Sequence, residues 1–254
     1  MNKVNYIALT LCLTACSVFS QTIITDRPDQ TESSSTIEAG SLQIETGILL
    51  GFSEDDFSSE RQLLAPTTLF RYGITNGIEL RVLSQFESLK DQNSTQKVSG
   101  ISDLEIGTKI QLFKKETVNT EIAFLSHLIL PTGSTGLTNN RFGTINKLSI
   151  SHTLSDALGL GYNVGYDYFG EGSGNLTYSV ALGVSVTETL GIYIEPYGNF
   201  VEFNTHEASF DAGIAYLLKD NCQLDFSFGT GINHTMNYLS LGCSIQIAKD
   251  NSNK

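Results

Sequence analysis

The chain has no tryptophan and only two methionines, four prolines and four cysteines in 254 residues. Cys12 and Cys16 lie in or beside an apolar N-terminal stretch, which leaves Cys222 and Cys243 for the rest, too few for a disulfide scaffold. Charge is scarce as well, 17% of residues against about 25% in ordinary soluble proteins. Bases are scarcer than acids: 15 Lys+Arg face 27 Asp+Glu, a formal charge of −12. The clustered cations that nucleic-acid phosphates demand are therefore missing, which argues against that partner. Long apolar stretches are confined to the extreme N-terminus, so helices do not carry the chain through a membrane. With 40% hydrophobic residues, the composition is neither disordered nor collagen-like.

What is present begins with an export signal. Lys3, the mostly apolar stretch from Tyr6 to Val18 and the small residues before Gln21 have the layout of a cleavable leader, with the cut expected after Ser20. Leu13-Thr14-Ala15-Cys16 also resembles a bacterial lipobox, in which Cys16 would be lipidated. Either route takes the protein out of the cytoplasm.

From residue 41 onward the dominant period is two, the signature of a sheet with unlike faces. Leu42, Ile44, Ile48, Leu50 and Phe52 fall on one face, with Gln43, Glu45, Gly47 and Gly51 opposite. Ile78, Leu80, Val82 and Phe86 oppose Glu79, Arg81 and Gln85; Leu104, Ile106, Ile110 and Leu112 oppose Asp103, Glu105, Lys109 and Gln111. The pattern continues to Leu239, Leu241, Cys243, Ile245 and Ile247. About twelve such segments of roughly 9–13 residues occur, the length a tilted strand needs to cross a bilayer. Short turns at 73–77, 114–119, 155–156, 187–189 and 219–221 alternate with mostly longer polar links at 53–60, 88–100, 131–140, 169–175, 201–209 and 229–237. One end has turns and the other loops, which predicts an all-β, antiparallel up-and-down transmembrane β-barrel of about 12 strands, with both mature termini in the periplasm. Closure has a motive, since unpaired backbone groups at a sheet edge in lipid cost several kcal/mol each. Pro66 cannot donate to a ladder and predicts a bulge or strand start. The organisation expected is a signal peptide over 1–20, a periplasmic or plug segment over 21–40, an outer-membrane barrel over 41–248 and a periplasmic tail over 249–254.

Thr25-Asp26-Arg27-Pro28-Asp29-Gln30-Thr31-Glu32-Ser33, followed by Gly40-Ser41-Leu42-Gln43-Ile44-Glu45, resembles the opening of an outer-membrane family described as putative MetA-pathway of phenol degradation. Leu69 to Arg81 and Leu130-Pro131-Thr132-Gly133 are similar to later stretches of that family. The resemblance covers essentially the whole mature chain. It implies a transporter-like barrel in the bacterial outer membrane, and the family name implies uptake of aromatic compounds. It assigns no substrate-binding residue.

Asp26, Arg27, Pro28, Asp29, Gln30, Thr31 and Glu32 precede the barrel and could form a periplasmic tail, a plug entering the lumen or a docking segment. Glu45, Glu79, Arg81, Asp103, Glu105, Lys109, Glu195, Asp211 and Asp225 fall in the inward phase, where they would set charge selectivity, bind a polar solute or simply pair with one another. His127, Tyr193 and Tyr197 share that phase and could stack on an aromatic solute or belong to mixed polar packing.

The histidines at 127, 152, 206 and 234 lack metal-ligand spacing, so neither metal nor cofactor is expected. Cys222 and Cys243 could approach across the last two strands, with free thiols the expected state. Gly170-Glu171-Gly172-Ser173-Gly174 links two strands and does not open a helix, so it is no phosphate loop, and no Gly-x-Ser-x-Gly elbow occurs.

No enzyme is indicated. The leading expectation is a monomeric or weakly oligomeric outer-membrane channel for a small, aromatic or hydrophobic solute, its other partner being outer-membrane lipid. The alternatives are a structural or adhesive barrel with a filled lumen, and a secreted β-sandwich. The missing Trp counts slightly against a barrel, although 10 Tyr and 14 Phe can form aromatic girdles.

Overall fold

The computed structural model describes residues 22–54, 58–115 and 117–249; the leader, its cleavage site and Cys12 and Cys16 lie outside them. The strands are β1 (Leu42–Glu54), β2 (Ser59–Thr75), β3 (Ile78–Asp91), β4 (Lys97–Ile101), β5 (Leu104–Lys114), β6 (Thr120–Leu130) and β7 (Gly143–Ser155). They continue as β8 (Leu158–Tyr168), β9 (Asn175–Ser185), β10 (Leu190–Val201), β11 (Thr205–Lys219), β12 (Cys222–Gly231) and β13 (Thr235–Ile247). Each pairs antiparallel with its neighbour, and β1 closes on β13 from Leu42↔Ile247 to Glu54↔Thr235. Twelve strands make the ring. The short β4 pairs only with the outer end of β3, whose inner end pairs with β5. One closed sheet replaces the two facing sheets of the sandwich alternative.

The alternation translates into an inside-out protein. Outward side chains such as Ile48, Phe70, Leu80, Phe124, Val164 and Leu241 are exposed, as a lipid-facing belt requires. The buried set is polar and charged: Gln43, Glu45, Arg71, Glu79, Arg81, Lys109, Glu195 and Asp211 are all at most 1% exposed. Cys222 and Cys243 are free thiols on the outward face, offset diagonally, since Cys243 lies opposite Leu224 and Cys222 opposite Ile245.

The short turns fall where the composition placed them. The outer links are shorter than expected, because β3 runs on to Asp91, β4 occupies part of 88–100, and β11 starts at Thr205. Above the membrane no lipid demands an apolar face, so the ladder continues without the alternation that marks it lower down. Pro66 sits inside the 17-residue β2 at a register shift between Leu64 and Thr67 against β3, the bulge its missing N–H calls for. Gly40, at φ +83°, turns the chain from the N-terminal segment into β1, with its N–H on the Gly73 carbonyl at 2.7 Å.

Candidate functional site: a charged N-terminal segment inside the barrel

Residues 22–40 form a loop that rises into the lumen from the short-turn end and returns. The Ile23 N–H binds the Asp220 carbonyl in the turn between β11 and β12 at 2.7 Å. Ser33, on the returning limb, donates from its N–H and its hydroxyl to Asp26 Oδ1 at 2.9 and 2.7 Å, pinching the loop shut. Further along, Ser34 binds Ser151, Ser35 binds Glu121, and the Ile37 N–H binds Glu79 at 2.8 Å.

The neck of the loop is fastened at Asp26. Lys109 Nζ donates to both its oxygens at 2.9 and 2.8 Å, Arg81 Nη1 to Oδ2 at 2.6 Å, and Arg71 Nη1 lies 3.1 Å from Oδ2. Burial alone would raise this carboxyl, but the charges of Arg71, Lys109 and Arg81 outweigh it and hold Asp26 well below the usual carboxylate range. Arg71 also grips Glu45 and Glu79, each at 2.9 Å, and Arg81 binds Glu79 and Glu32, also at 2.9 Å. The wall thus places three cations against Glu45 and Glu79, and the loop brings the two further acids, Asp26 and Glu32, that complete the network. Buried this deeply, such charges are tolerable only because each is paired and hydrogen-bonded.

Other side chains of the segment reach the remaining wall. Arg27 binds Asp225 at 3.0 Å and Ser240 at 2.9 Å, packed over Gly242, where a side chain would displace it. Glu32 and Asn163 clamp each other: the Glu32 N–H donates to Oδ1 at 2.7 Å and Asn163 Nδ2 to the Glu32 carbonyl at 3.1 Å. The Gln30 N–H binds Glu195 at 2.7 Å, and Thr31 joins Glu195 and Ser179 through its hydroxyl. The loop therefore touches the wall on every side of the bore. Asp29 has the opposite setting to Asp26: burial, then the Glu195 and Asp211 carboxylates, push it well above its ordinary range.

The inward-phase expectations can be placed one by one. Glu45, Glu79, Arg81, Lys109, Glu195 and Asp225 all hold the loop. His127 bridges Arg81 and Glu105: Arg81 Nε donates to its Nε2 at 2.9 Å, which puts the ring proton on Nδ1, 2.8 Å from Glu105. Asp211 accepts from the Tyr238 hydroxyl at 2.6 Å. Tyr193 is buried, its hydroxyl without a hydrogen-bond partner among the described residues, and Tyr197 lines a cavity. Asp103 sits in the break between β4 and β5, where it accepts the Gly133 N–H at 2.8 Å and anchors the Leu130–Gly133 stretch.

Arg71 was not among those candidates, because the bulge at Pro66 hides the phase of β2. Also absent from them are Leu49, Leu64, Leu69, Leu83, Leu125 and Ile145, apolar residues in the inward phase. They line a cavity of about 350 Å³ directly on the loop, together with Arg81, His127, Lys147 and Tyr238. A second cavity of about 280 Å³, lined by Asn163, Thr177, Ser179, Tyr197 and Asn199, shares Gln30 and Lys147 with the first. The signal for the leucines was a local one, since apolar residues interrupt a phase that is otherwise polar.

A closed twelve-stranded barrel with a lipid-facing apolar belt, a charged lumen and an N-terminal loop folded into it has the architecture of the β-barrels of the bacterial outer membrane. Within that class the chain belongs to the family "Putative MetA-pathway of phenol degradation", whose profile matches residues 25–247. No curated protein matches the chain. Among solved structures it is similar to an outer membrane channel from Pseudomonas putida F1, with TM-score 0.70 and 13% identity over 84% of this chain and 98% of that one. It is also similar to the KdgM porin in complex with disordered oligogalacturonate, with TM-score 0.57 and 12% identity over 81% and 99% of the two chains. The NanC porin follows, with TM-score 0.51 and 10% identity over 80% and 100%. At such identities the likeness is one of fold.

Proposed function

We propose that the protein is an outer-membrane channel that admits a small, partly apolar solute without converting it chemically, and that the Asp26–Glu32 loop is its plug. The observation that carries this reading is the lumen above the loop. Leucine and isoleucine from β1, β2, β3, β6 and β7 line one side of a cavity of about 350 Å³, and the rest of its lining is mostly polar, including Lys147, Gln85, Asp29 and Glu32. That volume falls within the usual range of small-molecule sites, about 300–1,000 Å³. A wall of leucine and isoleucine facing a polar, charged one suits an amphipathic solute, a ring carrying a hydroxyl, better than a sugar, whose hydroxyls would be left unpaired on the leucine side. The family's name agrees with this direction, whereas the KdgM porin of like fold is in complex with oligogalacturonate, which makes sugars the competing class.

The test is solute entry into liposomes holding the purified protein, using uncharged aromatic alcohols and sugars matched in mass, with protein-free liposomes as the baseline. The aromatic alcohols should enter faster than their baseline rate by a larger factor than the sugars do. Entry of sugars alone would overturn the solute class, and entry of neither, with no conductance in planar bilayers, would overturn transport and favour a barrel with a filled lumen.

A further inference from the structure

The outer ends of β2, β3 and β4 carry a row of cations that the lumen does not use. Arg61 lies directly across from Lys90, and Lys90 directly across from Lys97. All three are exposed, and none has an ion pair among the described residues. Their phase is that of Leu63, Phe86 and Ile101, so they face the membrane side of the wall. At the same level the acids Glu60 and Asp91, also opposite one another, take the inward phase. The nearest outward-phase acid on the adjoining strand is Glu54 of β1, paired with Ser59. In a chain of net charge −12 with 15 Lys+Arg, three cations in direct cross-strand register are conspicuous. Like charges directly opposite on a sheet repel and destabilise it. Arg61, Lys90 and Lys97, with Leu63, Ser88 and Thr95, line a depression of about 380 Å³.

Height along the barrel says what meets this row. From Ile78, at the short-turn end of β3, the outward positions are Ile78, Leu80, Val82, Ser84, Phe86, Ser88 and Lys90. At a rise of ~3.4 Å per residue and a tilt of about 40°, Phe86 stands roughly 21 Å and Lys90 roughly 31 Å above Ile78. The apolar band of an outer-membrane barrel is about 25 Å tall, so the row emerges just above it, at the level of the outer headgroups. Strand spacing of about 5 Å sets the three cations within reach of a single phosphorylated headgroup. Leu63 supplies an apolar floor for the start of its acyl chains.

We infer that this depression is a binding site for a phosphorylated outer-leaflet lipid, the phosphates of lipopolysaccharide, held by Arg61, Lys90 and Lys97 with hydroxyl contacts from Ser88 and Thr95. The anion also relieves the cross-strand repulsion of the row, so the lipid fastens the outer ends of β2, β3 and β4.

Native mass spectrometry of the full-length protein in detergent tests this directly, with added lipid A, enzymatically dephosphorylated lipid A and inorganic phosphate as probes. The variant is Arg61→Gln/Lys90→Gln/Lys97→Gln, checked for a heat-shifted gel band, with Lys90→Gln alone used if the triple variant loses that band. Lys219→Gln, at the opposite end of the barrel, is the control. Wild type and Lys219→Gln should retain lipid A and the triple variant should bind it roughly tenfold more weakly or worse. Dephosphorylated lipid A should bind as weakly to wild type as lipid A does to the triple variant. Equal binding of the two lipids, equal binding by the variant, or displacement of lipid A by millimolar inorganic phosphate would overturn the assignment.

Discussion

Replacing Asp26 by Asn should release the plug. The substitution keeps the shape of the side chain and its acceptance of the Ser33 bonds at 2.9 and 2.7 Å, but removes the anion that Lys109, Arg81 and Arg71 meet within 2.6–3.1 Å. An amide nitrogen would then confront donors that can only donate. Breaking a buried ionic network by removing one member costs about 3–5 kcal/mol, because the partners stay buried and unpaired. Here the cost falls on docking, since Lys109 and the two arginines are fixed on the wall and regain water only if the loop leaves. At about 1.4 kcal/mol per tenfold, the docked-to-released ratio should fall by roughly two to three and a half orders of magnitude. Planar-bilayer recordings would read this as long dwells at a higher conductance level, and protease added on the short-turn side should cut the 22–40 segment faster. If the Asp26→Asn variant keeps its heat-shifted band yet matches wild type in both conductance and cleavage, the loop is not held by this network and the reasoning fails.

Asp29 should respond in the opposite sense. Its docked carboxyl is raised by burial and by Glu195 and Asp211, so the cost of docking it charged is absent below its undocked range and grows as pH rises through the docked value. Acidification from neutral should therefore lengthen closed dwells, and Asp29→Asn should close the channel more at neutral pH and abolish that response. The stabilisation from Asp26, whose docked carboxyl is depressed, is lost only at far lower pH, as pH falls through that docked value, and channels should then open again. Gly242→Ala places a methyl group against Arg27 Nη2 and Asp225 Oδ1, at 2.5 and 2.6 Å, and should cost docking about 1–3 kcal/mol, read as a higher open fraction with the gel shift intact. Leu83→Asn should slow entry of aromatic alcohols roughly tenfold while leaving small ions unaffected, since burying one leucine is worth about 1.5–3 kcal/mol; equal slowing of both would indicate a blocked lumen.

The parts of the site that could be read from sequence are those the membrane dictates. Glu45, Glu79, Arg81, Lys109, Glu195 and Asp225 stood out because each is a charged residue in the phase opposite the apolar face that lipid enforces. Arg71 escaped because Pro66 breaks the phase of β2, and the bulge that restores the ladder can be located only against β1 and β3. Leu49, Leu69, Leu83 and Leu125 escaped because an apolar residue in the polar phase has no periodic signature of its own. The Asp26–Glu32 stretch was visible as a motif, yet its partners are remote: Asp26 meets Lys109 across 83 positions and Arg27 meets Asp225 across 198.

What the sequence by itself determined is the barrel: long strands of period two, short turns alternating with longer links, and the polarity of the two faces. Each of these is a local property, set by which solvent a side chain meets. Only the tertiary structure decided that the N-terminal loop lies inside the barrel, that Asp26 closes a network of cations drawn from β2, β3 and β5, and that Arg61, Lys90 and Lys97 form one row. Those arrangements depend on strand register and on closure of β1 against β13, which bring together charges that no spacing along the chain relates.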